Sequence, residues 1–85
     1  MNDYRIEIRP AALRELRKID RSTQLRIQGA ISLLAKDSRP PASRPLRGRD
    51  GYRLRVGDYR VLYTTDDGVL LIVVVTLGHR RVVYE

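Results

Sequence analysis

Residues 52–63 read Tyr-Arg-Leu-Arg-Val-Gly-Asp-Tyr-Arg-Val-Leu-Tyr, two runs of alternating side chains separated by Gly57-Asp58. A Gly-Asp pair between two alternating runs suits a two-residue turn, so this stretch predicts a β-hairpin with strands at 52–56 and 59–64. With the turn at these two residues, Arg55 lies opposite Arg60 and Arg53 lies opposite Leu62.

Alternation in the predicted hairpin places Arg53, Arg55 and Arg60 on one face of the sheet. The opposite face, which we expect to lie under helices, carries Tyr52, Leu54, Val56, Val61 and Tyr63. Like charges directly opposite each other destabilise a hairpin by up to about 1 kcal/mol. We interpret the arginines as an anion-binding surface. The alternative is that Arg55 and Arg60 extend into solvent or pair with Asp58, Asp66 or Asp67.

The segments around the hairpin predict an α+β fold. Alternation over residues 4–8 predicts a first strand, and apolar spacing predicts a helix over 11–19 and a second helix that ends near Asp37. A β-branched run over 69–77 predicts a strand covered on both faces, and residues 82–84 predict a short terminal strand. The expected architecture is an N-terminal strand and a helical hairpin packed on a twisted antiparallel sheet, in the order β-α-α-β-β-β with one further short strand.

Composition limits the classes of function. The 85 residues predict a single domain, residues 1–85, with net charge +7, and 15 of the 17 basic residues are arginine because only Lys18 and Lys36 are lysine. Guanidinium groups match phosphate geometry, which favours a polyanionic partner. With no cysteine and one histidine, we expect no disulfide, no metal site and no cofactor. The absence of a signal peptide or a long apolar run predicts a cytoplasmic protein without a membrane segment.

A long loop precedes the hairpin. Prolines and glycines over residues 40–51 predict about a dozen residues without regular structure. The loop adds further arginines to the basic surface, and we expect three of them to contact RNA: Arg44, Arg47 and Arg49. All five aromatic residues are tyrosines, which can stack on bases. For Tyr52 and Tyr63, however, we expect a place in the core.

The hairpin together with the C-terminal Gly78-His79-Arg80-Arg81 and Tyr84 resembles the RelE toxins of the RelE/ParE superfamily of bacterial type II toxin–antitoxin systems. The resemblance spans essentially the whole chain, including the two helices. It implies a ribosome-dependent endoribonuclease that enters the A site of the 70S ribosome and cuts the mRNA codon there without a metal. It also implies inhibition by a cognate antitoxin.

The resemblance assigns candidate roles. Arg60 corresponds to the arginine that braces the scissile phosphate, Arg80 to the arginine near the leaving group, and Tyr84 to the C-terminal tyrosine that orients the substrate. Arg53 and Arg55 stand where other members carry two lysines, and arginine cannot act as a general base. Proton transfer would then fall to Tyr84 or His79, unless the enzyme works mainly by orientation and charge stabilisation. His79 and Arg81 are otherwise expected to contact RNA.

Two other functions fit the sequence. A ParE-like protein would share the fold but inhibit DNA gyrase by binding it, without cleaving RNA. A non-catalytic basic RNA-binding module would account for the charge but not for Tyr84 beside Gly78-His79-Arg80.

Overall fold

The computed structural model describes residues 3–79 and contains two helices and five strands. The elements are β1 (Arg5–Ile8), α1 (Pro10–Arg17), α2 (Arg21–Leu33), β2 (Ser43–Pro45), β3 (Tyr52–Val56), β4 (Tyr59–Asp66) and β5 (Leu71–His79). The predicted α+β fold class is confirmed. The terminal strand predicted at residues 82–84 lies outside the described residues.

The two helices are short, and local chemistry sets their ends. Pro10 occupies the first turn of α1, where its missing N–H costs no hydrogen bond. Asp20 caps α2, because its carboxylate accepts hydrogen bonds from the Thr23 amide at 3.1 Å and from the Ser22 hydroxyl at 2.8 Å. These bonds hold the pKa of Asp20 below its usual range, the largest contribution coming from Ser22. Neither helix of residues 3–79 is long and apolar enough to cross a membrane.

The sheet has the order β1-β5-β4-β3-β2 and is mixed rather than antiparallel throughout. Strands β2 to β5 pair antiparallel, whereas β1 runs parallel to β5 with Ile6 opposite Ile72 and Ile8 opposite Val74. The alternation over residues 4–8 identified a strand correctly but carries no information on its partner. The long connection through the helices and the other strands permits the parallel pairing.

Both helices pack on one face of the sheet. The helical segments and the sheet both contribute to the buried core. The core residues are Ala12, Leu16, Ile27, Ile31 and Leu34 from the helices and the end of α2, and Leu54, Val61, Tyr63, Ile72, Val74 and Leu77 from the sheet. Tyr63 is fully buried, and its hydroxyl donates to the Ser38 carbonyl oxygen at 2.7 Å. Burial raises the pKa of Tyr63. The core position expected for Tyr63 is confirmed. Tyr52 is partly buried against the core and stacks on Tyr63, with ring centroids 5.7 Å apart.

Strand β5 differs from its prediction at its start and on its outer side. It begins at Leu71, because residues 67–70 form a turn in which Leu70 has φ +53°. Val69, in that turn, is 68% exposed, and Val75 is 37% exposed, so the strand is not covered on both faces. A bulge skips Val75 in the pairing with β4, and it shifts the buried side from Ile72 and Val74 to Leu77.

The loop before the hairpin contains a strand that the sequence did not predict. Strand β2 pairs antiparallel with β3, placing Ser43 opposite Leu54 and Arg44 opposite Arg53. The pairing brings the loop's arginine-containing segment onto the edge of the hairpin.

Candidate functional site

The β3–β4 hairpin has the predicted register. Arg55 lies opposite Arg60, and Arg53 lies opposite Leu62. Gly57 has φ +59° and Asp58 does not have a positive φ, which fits a type II′ turn with glycine at its first central position. The tight turn fixes the register and thereby places the two arginines directly across from each other.

Four arginines line one cleft on the sheet face that carries no helix. The cleft has a volume of about 260 Å³ and is bounded by Pro41, Ala42, Arg44, Arg53, Arg55 and Arg60. We call it the arginine cleft, after Arg44, Arg53, Arg55 and Arg60. The structure thus brings together three of the predicted catalytic residues and one predicted RNA-binding residue, Arg44.

Among residues 3–79, no acidic residue lines the arginine cleft. Within residues 3–79, Arg44, Arg55 and Arg60 make no ion pair, because the three pairs found there are Arg5–Glu7, Lys18–Glu15 and Arg39–Asp67. The alternative, in which Arg55 and Arg60 pair with nearby aspartates, is therefore not found in the part of the chain that the structure describes. A cleft with this surplus of positive charge favours an anionic ligand.

Arg44 is anchored within the cleft. Its Nη1 atom donates to the carbonyl oxygens of Pro41 and Ser43, each at 2.9 Å. The two bonds fix the guanidinium plane without neutralising its charge. The sequence predicted that Arg44 contacts RNA, but it gave no sign that Arg44 stands beside Arg53.

Arg47 and Arg49 lie apart from the arginine cleft. Arg49 lines a second cleft of about 340 Å³, together with Arg39, Tyr52, Thr64 and other residues of β2, the β2–β3 connection and β4. Arg47 is exposed in the turn between β2 and β3. RNA binding by either residue stays a prediction.

Arg39 has a structural role that the sequence did not indicate. Its guanidinium donates to the Tyr52 hydroxyl at 2.8 Å and to Asp67 Oδ2 at 3.0 Å, and its Cζ lies 5.3 Å from the Tyr52 ring centroid. The bond to Tyr52, then the bond to Asp67, raises the pKa of Arg39. Asp67 also accepts a hydrogen bond from the Tyr4 hydroxyl. The bond from Tyr4 makes the largest contribution to lowering the pKa of Asp67, and the bond from Arg39 the second largest. Arg39 thus holds the loop after α2 against the β4–β5 turn and β3.

His79 lies on the helix side of the sheet, away from the arginine cleft. It pairs with Tyr59, whose side chain packs against the core, and the two rings meet edge to face with centroids 5.6 Å apart. Together with Glu15 and Lys18 of α1, His79 lines a cleft of about 400 Å³. The structure does not bring His79 together with Arg55 and Arg60.

Three predicted site residues, Arg80, Arg81 and Tyr84, lie outside the described residues, and their roles stay predictions. Within residues 3–79, no three His, Cys, Asp or Glu side chains form a group that could hold a metal ion.

Residues 6–84 match the family model described as "ParE toxin of type II toxin-antitoxin system, parDE". The chain belongs to this family. As a ParE-family protein it is a toxin of a type II toxin–antitoxin system, and its predicted place in the RelE/ParE superfamily is confirmed. No protein of curated function matches this ParE-family chain in sequence.

Solved structures similar to this ParE-family chain include RelE toxins. The archaeal RelE–RelB complex of Pyrococcus horikoshii has 24% identity and a TM-score of 0.80, covering 95% of this chain and 99% of that chain. The Escherichia coli RelBE complex has 26% identity and a TM-score of 0.75, covering 89% and 95%. A RelBE complex of Mycobacterium tuberculosis has 27% identity and a TM-score of 0.66, covering 92% and 99%.

Proposed function

We propose that this toxin is a ribosome-dependent endoribonuclease that cleaves mRNA codons in the A site and so inhibits translation. The observation that carries the proposal is the arginine cleft, which is lined by four arginines and by no acidic residue of the described chain. Such a cleft suits the phosphate backbone of RNA, because guanidinium binds phosphate through paired hydrogen bonds. The similarity to RelE structures supports the same activity.

The chemistry we propose is attack of the ribose 2′-oxygen on the adjacent phosphorus. The bond to the 5′-oxygen breaks, leaving a 2′,3′-cyclic phosphate on one fragment and a 5′-hydroxyl on the other. Negative charge builds on the phosphoryl oxygens in the transition state, and fixed cations stabilise that charge. Arg55 and Arg60, directly opposite each other, are the residues we assign to this task.

Proton transfer needs a different group, since arginine stays protonated. His79 lies on the other sheet face from the arginine cleft, next to Tyr59. This position favours Tyr84 over His79 as the group that moves the proton. Arg80 would support the leaving oxygen, as the resemblance to RelE implies.

We propose a cognate antitoxin as the protein partner and the cytoplasm as the location, because a toxin that acts on ribosomes must be inhibited where they are. On the described residues, α2 exposes two large apolar side chains, Leu25 at 52% and Leu33 at 69%. An amphipathic antitoxin helix could cover them. The RelE relatives from P. horikoshii and E. coli were solved as complexes with RelB, which supports this proposal.

Inhibition of DNA gyrase is the second candidate function. The match of residues 6–84 to the ParE family model favours it. In that case the arginine cleft would bind an acidic protein surface or DNA, and no RNA cleavage would follow.

One experiment separates the two functions. The purified toxin is incubated with programmed ribosomes, mRNA ends are mapped by primer extension, and gyrase–DNA complexes are measured in a parallel reaction. We expect cuts within the A-site codon, and we expect Arg60→Ala to slow single-turnover cleavage at least about a hundredfold, the scale of losing one preorganised charge-stabilising group. Arg5→Gln is the matched control, because Arg5 is an exposed arginine on β1 at the far edge of the sheet. Trapped gyrase–DNA complexes without A-site cuts would contradict the proposal and establish the second candidate.

A further inference from the structure

Arg44 and Arg53 form a like-charge pair separate from the Arg55–Arg60 pair. Arg44 lies directly opposite Arg53 across the β2–β3 ladder, just as Arg55 lies opposite Arg60 across β3–β4. Both pairs line the same cleft. The two cross-strand pairs thus bring four arginines of like charge to one small sheet face, which favours a ligand with more than one negative charge.

The distance between the two pairs follows from strand geometry. Arg53 and Arg55 are two residues apart on β3, so their Cα atoms are separated by about 6–7 Å along the strand. Because the two pairs lie on opposite sides of β3, a lateral offset of about 5 Å sets their centres roughly 8 Å apart. The long arginine side chains can span the difference between this distance and the separation of neighbouring phosphates in an extended RNA strand. One phosphate can therefore lie at the Arg55–Arg60 pair while the next lies at the Arg44–Arg53 pair.

The hydrogen bonds of Arg44 leave its binding edge available. Both bonds to the Pro41 and Ser43 carbonyl oxygens come from Nη1. The Nε–H and the two Nη2–H groups, which form the edge used for bidentate phosphate binding, make no hydrogen bond within residues 3–79. A guanidinium already fixed by two carbonyls also loses less conformational freedom when a phosphate binds.

We infer that Arg44 and Arg53 form a second phosphate-binding position, so that the arginine cleft holds two successive phosphates of one RNA strand. This inference rests on the proposed function for its ligand, a single-stranded RNA backbone. In it, the Arg55–Arg60 pair binds the reacting phosphate, and Arg44 is a positioning residue that fixes the strand by its neighbouring phosphate.

The test is a binding experiment on the purified chain without ribosomes. The probes are two 2′-O-methyl uridine trinucleotides that cannot be cleaved, one with two phosphodiesters and one in which a single linkage is a neutral methylphosphonate. Affinity is measured by NMR titration of the arginine Nε–Hε signals. We expect the fully charged trimer to bind the unaltered chain about tenfold more tightly than the singly charged trimer, as expected for one charge-assisted contact. The Arg44 signal should move only with the fully charged trimer.

Substitutions of Arg44 test whether this residue causes the difference in affinity between the two trimers. In Arg44→Gln the two trimers should bind equally, at the affinity of the singly charged trimer for the unaltered chain. Arg44→Lys should recover only part of the difference, because lysine keeps the charge but not the planar fork. Arg5→Gln, which removes one positive charge at the far edge of the sheet, should keep the full difference.

Two results would overturn the inference: a tenfold difference that persists in Arg44→Gln, or no binding of the charged trimer by the unaltered chain. Failure of the proposed function has another signature, an absence of A-site cuts on programmed ribosomes while the trimer pattern still appears. Where cuts do occur, Arg44→Gln should reduce their single-turnover rate about tenfold, and neutralising the phosphate next to the cut should remove that effect.

Discussion

Arg55 and Arg60 are placed in a way that suits an anionic ligand but lowers the stability of the folded chain. They face each other on adjacent strands without an acidic partner in the described chain. A carboxylate at either position would convert repulsion into attraction, so the pair costs stability in the isolated chain. Binding sites commonly retain such costs because the ligand supplies the missing opposite charge.

We therefore expect Arg55→Glu to raise the free energy of unfolding by about 0.5–1 kcal/mol, because the new carboxylate faces Arg60. Urea denaturation measures this change. Lys36→Glu is the control, since it makes the same charge change at an exposed residue after α2. RNA cleavage should fall in Arg55→Glu and not in the control. If the free energy of unfolding rises no more in Arg55→Glu than in Lys36→Glu, a specific repulsion between Arg55 and Arg60 is contradicted.

Asp67 gives a pH-dependent prediction. Hydrogen bonds from Tyr4 and from Arg39 lower the pKa of Asp67 in the folded chain, so folding favours its ionised form. This contribution to stability is present above the unfolded pKa, about 3.9 for Asp, and is lost as the pH falls through the lower folded pKa. Asp67→Asn should therefore be less stable than the unaltered chain at neutral pH, with a difference that shrinks in acid.

Thermal unfolding measured from neutral pH to about pH 2.5 checks the Asp67 prediction. Tyr4→Phe is the companion variant, because it removes the largest cause of the pKa shift and leaves the carboxylate and Arg39 in place. It should show part of the Asp67→Asn effect. A stability difference that stays constant over this pH range would show that Asp67 acts by packing rather than by charge.

At the scale of elements, the sequence specified what is local. The β3–β4 hairpin was predictable in register, because alternation and the Gly57-Asp58 turn act over a dozen residues. The three cleft arginines on that hairpin followed from the register. Strand β2 was not predictable, since it has three residues, ends in Pro45 and exists through its pairing with β3. The position of Arg44 in the arginine cleft is therefore known from the structure and was not predicted from the sequence. The parallel direction of β1 and the Arg39–Asp67 contact were likewise set by tertiary packing.

Alanine substitutions at two glycines, Gly57 in the hairpin turn and Gly29 in α2, should change the free energy of unfolding in opposite directions. Gly57 has φ +59°, and a Cβ there would meet the Arg26 guanidinium at no closer than 3.6 Å, so the cost of Gly57→Ala is backbone strain of about 1–2 kcal/mol. Gly29 lies within α2, and nothing is within 4 Å of an added Cβ. Gly29→Ala should stabilise the chain by about 0.5–1 kcal/mol. Urea denaturation of both variants measures the opposite signs, and a neutral Gly57→Ala would contradict the turn geometry.

At the scale of the whole molecule, the sheet separates two tasks. Its helix face buries the core, and its other face carries the arginine cleft. Positive charges outnumber negative charges in the chain, which has a net charge of +7. Within residues 3–79, three ion pairs are found. From the net charge of +7 we expect repulsion among the arginines to outweigh attraction, a balance that a bound polyanion or an acidic antitoxin would reverse.

This imbalance predicts how salt affects stability. Raising NaCl from about 0.05 M to about 0.5 M shortens the Debye length from about 14 Å to about 4 Å, which screens repulsion between separated arginines. The urea midpoint of the unaltered chain should therefore rise with salt, whereas a chain held by surface ion pairs would lose stability. Arg55→Glu lowers the formal net charge from +7 to +5 and removes the Arg55–Arg60 repulsion, so its midpoint should rise less. A midpoint that falls with salt in the unaltered chain would mean that attractive pairs dominate. Equal rises in the two chains would mean that the repulsion is spread over the surface rather than concentrated at the arginine cleft.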